Sequence, residues 1–118
     1  MNKENLIKVK DLIDGVPEEK FDMTDWAVEH SCGTAFCIAG YATILAGYNY
    51  RYVQKHGKRS FVNDKGASGD PEVVGAQFLG LTEEEARDLF YGNFTDRMRY
   101  RITKDEALAE LERMIADA

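Results

Sequence analysis

The chain holds only two cysteines and two histidines, the side chains that most often bind metals or attack substrates. Two thiols in a chain otherwise free of cysteine fit a reducing cytoplasm and a fold that needs no disulfide. The N-terminal stretch is not expected to be a signal peptide. The charges in "MNKENLIKVK" interrupt any apolar core, and no small-residue cleavage site follows. There is no P-loop, GxGxxG, HExxH, GxSxG or EF-hand loop, and no internal repeat or low-complexity tract. The acids are spread over capped helix faces, so no carboxylate pair stands out as catalytic. These absences favour a non-enzymatic protein with no cofactor. Positive charge is also short. Fifteen Lys and Arg against 21 Asp and Glu leave a net charge of −6, which disfavours general nucleic-acid binding.

Charge vanishes altogether from Ser31 to Tyr50, in a chain that is 31% charged. Within Thr34–Ala46 apolar residues lie on every helical face, which marks a buried central helix or a membrane span. Three glycines, two threonines, a serine and an asparagine make a poor span, so no membrane insertion is expected. Gly33 and Thr34 are read as the turn into this helix. Cys37, Ile38, Tyr41, Ile44 and Leu45 are expected to be largely buried, and Gly40→Leu to be strongly destabilising.

Around this segment the pattern is helical. Leu6, Val9, Ile13 and Val16 recur at helical spacing, with Gly15 as a natural stop. Phe21, Met23 and Trp26 offer anchors in the connector that follows. Asp70-Pro71 opens a helix that runs towards Gly80. Thr82–Glu85 and Thr103–Glu106 are capping boxes, each followed by an apolar stripe. Tyr48, Tyr50 and Tyr52 alternate, and "SFV" beyond them allows a small β-hairpin. The expected fold is therefore mainly α, one domain over residues 1–118. It is a compact bundle of four to five helices around a buried central helix, with room for that hairpin.

Three chemistries compete for the remaining residues. His30, Cys32, Cys37 and His56 are soft enough for zinc, but no CxxC knuckle orders them, so no metal is expected. A thiol enzyme would use Cys32, placed before a helix N-terminus that lowers its pKa, with His30 or His56 as base. Two arginine–aromatic patches suit a nucleotide or other anionic small molecule. One joins Arg51, Tyr52, Lys55 and Arg59. In the other, Arg97, Arg99 and Arg101 at period two would share one extended face. The simpler expectation for both patches is an offset to the acidic helices, Thr82–Asp88 and Asp105–Glu112.

The chain also resembles a loose group of short bacterial and bacteriophage proteins. The residues that carry the likeness are Phe21, Met23 and Trp26; Cys32, Gly33 and Thr34; and Cys37, Ile38, Ala39, Gly40 and Ala42. Leu79, Gly80, Leu81, Ala86, Leu89, Phe90, Ile102 and Thr103 complete it. Tyr41 stands where the group usually has Trp. The resemblance implies a shared fold and a phage or mobile-element origin, and it implies no reaction. The leading expectation is an interaction protein of the host cytoplasm that binds a host protein, for example as an inhibitor of a defence factor. It would be a monomer or a weak homodimer, with Leu108, Leu111 and Ile115 of the last helix as the first candidate contact.

Overall fold

The structure is a computed structural model that describes residues 1–30, 33–53 and 58–118. Its helices are α1 (Lys3–Gly15), α2 (Ile38–Leu45), α3 (Pro71–Leu79), α4 (Glu83–Phe90) and α5 (Lys104–Asp117). Its strands are β1 (Ala27–His30), β2 (Gly33–Phe36), β3 (Asn49–Val53), β4 (Lys58–Val62) and β5 (Ser68–Gly69). Strands β1 and β2 pair antiparallel, and β3, β4 and β5 form a second antiparallel sheet in that order. The expectation of a mainly α bundle is thus corrected to a mixed α/β fold.

The correction has a local cause. The uncharged stretch is not one helix. Its first part is strand β2, which lies against β1 in the register Ala27–Phe36, Val28–Ala35 and Glu29–Thr34. The helix begins only at Ile38, where the Cys37 thiol sulfur, 3.5 Å from the Gly40 amide, accepts its hydrogen bond. A short apolar run reads the same as buried strand or buried helix, and only its partner decides. The partner here is Ala27–His30, a segment with no strand signal of its own.

The remaining caps form as their sequences dictate. Asp70 accepts from the Glu72 amide at 3.1 Å, and both Thr–Glu capping boxes close. Gly80 ends α3 in the left-handed region, at φ 66°, which a side chain would resist. Gly15, by contrast, is the last residue of α1, with Val16 as its cap.

Helix α2 sits at the centre, against α1, α3 and α4. Cys37, Ile38, Ala39 and Ala42 are fully buried and Tyr41 nearly so, whereas Ile44 is half-buried and Leu45 reaches solvent. Thr43 is buried too, its hydroxyl donating to the Ala39 carbonyl. The first and last helices close the other side. Leu6, Val9 and Ile13 of α1 meet the face of α5 that carries Ala107, Leu111 and Met114. Lys104 at the start of α5 donates to the Asp14 and Val16 carbonyls at the end of α1. Leu111 is therefore spent inside its own core, while Leu108 and Ile115 are half-buried beside it. Among the described residues no helix is long and apolar enough to cross a membrane.

Candidate functional site

The two sheets meet through aromatics. Phe36 of β2 lies 5.4 Å from Tyr50 and 6.1 Å from Phe61, in tilted or edge-on contacts that suit ring quadrupoles. The ribbon register sets Tyr50 opposite Phe61 and Tyr52 opposite Arg59. These four side chains share one face of the sheet, and Arg51 and Ser60 take the other. Arg51 and Arg59 therefore point to opposite sides, and the first basic patch does not form as a unit. Lys55 and His56 lie outside the described residues, as does Cys32.

Arg59 is held at the surface by carboxylates. Its Nη1 donates to Asp25 at 3.0 Å and to the Ala27 carbonyl at 3.3 Å, and its Nε lies 3.3 Å from Glu29. Glu29 also accepts from the Tyr50 hydroxyl. Between this network and the segment before β1 lies a cleft of about 270 Å³. Its walls include Asp25, Trp26, Tyr50, Arg59, Phe61 and Pro71, gathered from four separate parts of the chain.

Trp26 also packs against the last third of the chain. The Arg99 guanidinium lies 5.7 Å from the Trp26 ring and 4.8 Å from the Tyr91 ring, and its Nε donates to the Met23 carbonyl at 2.9 Å. Tyr91 in turn donates to Glu72 at 3.2 Å. Burial first, and then the Glu72 charge, push the Tyr91 phenol above its ordinary range. The segment is not extended, as period-two arginines suggested, but a 3-10 turn at Arg99–Arg101. The three guanidiniums consequently separate. Arg97 binds Glu106 at 2.8 Å, Arg99 turns inward, and Arg101 lies over the Tyr100 ring at 5.6 Å. Met98 and Tyr100 are left 65% and 59% exposed.

Arg99 is thus a clamp that ties this turn to the core. Arg99→Ala should cost about 2 kcal/mol, combining a charge-assisted hydrogen bond and the cation–π contacts. Denaturant unfolding measures the loss. Arg99→Lys should recover only part of it, because an ammonium lacks the flat fork.

Cys32 and His56, the nucleophile and one candidate base of the thiol reading, lie outside the described residues. The helix begins at Ile38, with β2 before it, so the helix-terminus argument passes from Cys32 to Cys37. The Cys37 side chain is fully buried between the Trp26 carbonyl and the Gly40 amide, and burial pushes its pKa up to about 11. That is a thiol kept protonated, packed as a small hydrophobe. His30 lies 3.3 Å from Asp22. Among the described residues no cluster of three His, Cys, Asp or Glu is placed to hold a metal.

Two features of this region carried little signal in sequence. Trp26 was legible only as an anchor, and Tyr91 not at all. Both gain their roles from Arg99, which is 73 residues after Trp26 (99 − 26) and 8 after Tyr91 (99 − 91). Comparisons with protein-family models, curated proteins and solved structures find no match to this chain.

Proposed function

We propose that this chain is a small, non-enzymatic interaction protein that docks on a host protein through the turn at residues 97–101. The observation that carries this reading is the exposure of Met98 and Tyr100 on a turn that Arg99 anchors. Tyrosine, methionine and arginine are the residue types enriched in interface centres. Held in place before binding, they lose less conformational freedom on docking. The partner that fits offers an apolar socket for Met98 and Tyr100 and a carboxylate for Arg101. A bacteriophage origin, and so a bacterial host, rests on the resemblance through Cys37–Gly40 and the segments around it.

The anionic-ligand reading has less support. Arg59 and Arg97 are already engaged by carboxylates, and Arg51 faces away from Arg59. The test is capture from host lysate by the wild-type chain and by a Met98→Asp/Tyr100→Asp variant. Both sites are exposed, so the variant should melt as the wild type does. A specific partner should be retained by the wild type and lost from the variant by about 30-fold or more, as for hot-spot residues. Equal capture by both chains would refute this docking surface.

A further inference from the structure

We infer that the cleft between Trp26 and the β3–β4 ribbon binds a small, uncharged, flat ligand of the nucleobase class. The inference concerns a different surface from the docking turn and does not depend on it. Three observations support it. First, Trp26, Tyr50 and Phe61 line the cleft with aromatic surface, and stacking on such rings holds a base by roughly 1–3 kcal/mol. Second, the cleft has donors to spare. Both Nη1 hydrogens of Arg59 and its Nε are engaged, while its Nη2 donates to no described residue. The Trp26 indole N–H also has no acceptor among the described residues. A ring carbonyl satisfies such donors.

Third, the charge balance excludes an anion. Among the described residues Arg59 is the one cation in the cleft wall, and its partners Asp25 and Glu29 together outweigh it. Asp70 adds another acid beside Pro71, and the whole chain carries −6. A phosphate or carboxylate would meet net negative potential. The volume, about 270 Å³, is at the small end for ligand pockets and suits one ring system rather than a dinucleotide.

Trp26 is the only tryptophan, so its fluorescence reports this wall directly. The full chain is titrated with uridine and inosine, a pyrimidine and a purine bearing ring carbonyls, then with uridine 5′-monophosphate and oligouridylate. At least one nucleoside should quench Trp26 saturably. The monophosphate should bind about five-fold more weakly at low salt, and the oligomer no more tightly per base. Asp25→Asn, an exposed change that retains an acceptor for the Trp26 amide, should narrow the gap between uridine and its monophosphate. Tyr50→Ala and Arg59→Gln should each weaken quenching by ten-fold or more, and thermal melts of both identify which variant stays folded. Three results would overturn the inference: no saturation with either nucleoside, equal or tighter binding of the monophosphate or oligomer, or unchanged affinity in a folded Tyr50→Ala or Arg59→Gln variant.

Discussion

Gly40→Ala is expected to destabilise the protein by about 3 kcal/mol, the upper part of the range for overpacking a core. A single methyl is enough. It would land on the Trp26 carbonyl oxygen, far inside van der Waals contact, and 3.1 Å from Phe36 Cβ. Neither neighbour can yield easily. The Trp26 carbonyl leads into β1 and receives the Cys37 thiol, and Phe36 is pinned in the aromatic cluster by Tyr41, Tyr50 and Phe61. The first turn of α2 would have to lift from the β1–β2 hairpin, opening the centre of the core. In a thermal melt the loss corresponds to a midpoint lower by roughly 10 °C or more. The effect does not arise from helix propensity, on which alanine exceeds glycine. A melt that rises, as propensity alone would give, would mean that α2 and the hairpin do not meet as described.

The second large effect is alkaline unfolding. Burial pushes the Cys37 thiol from 9.0 up to about 11. Burial, aided by the neighbouring Cys37, pushes the Tyr41 phenol from 10.0 up to about 12. Tyr41 also donates its proton to the Lys20 carbonyl, a bond that ionisation would destroy. Both folded-state values lie above the unfolded ones. Below about pH 9 both groups are protonated in either state, and stability is flat with respect to them. Between pH 9 and 12 the unfolded chain releases protons that the folded chain keeps, so stability falls as pH rises. Each shift of two units corresponds to about 3 kcal/mol when fully expressed. Denaturant curves from pH 7 to 11.5 should be level to pH 9 and then decline steeply. Cys37→Ala should soften the first part of that decline. An identical profile in that variant would remove the thiol from the account.

How far the sequence spoke for itself depended on how local the determinant was. The capping boxes at Thr82 and Thr103, the Asp70-Pro71 start and the stripe of α1 all lie within one or two turns, and they appear where expected. The Tyr48–Tyr52 alternation likewise marks β3. The hairpin of β1 and β2 was hidden because Gly33–Phe36 carries no periodicity of its own, and its strand character depends on Val28–His30. At the cleft the residue types were legible but their assembly was not. Arg59 and Arg99 stood out as arginines beside aromatics. Nothing local showed that Asp25 and Glu29 would claim the first, or that Trp26 and Tyr91 would hold the second. The even spacing of Arg97, Arg99 and Arg101 was misleading, because a 3-10 turn spreads apart what a strand would align.

The pairing of the first helix with the last has a consequence for the order of events during synthesis. Roughly 100 residues separate the end of α1 from the end of α5. At about 5–20 residues per second, the ribosome needs on the order of 5–20 s to deliver the second helix after the first. Through that interval Leu6, Val9 and Ile13 lack the surface that α5 gives them, while Glu4, Lys8, Lys10 and Asp11 keep the nascent helix hydrated. The central helix and its sheets can gather earlier, but the core closes only when the final turns emerge. Nascent chains halted before Lys104 should therefore be cut readily by protease within α1, and released full-length chains should resist.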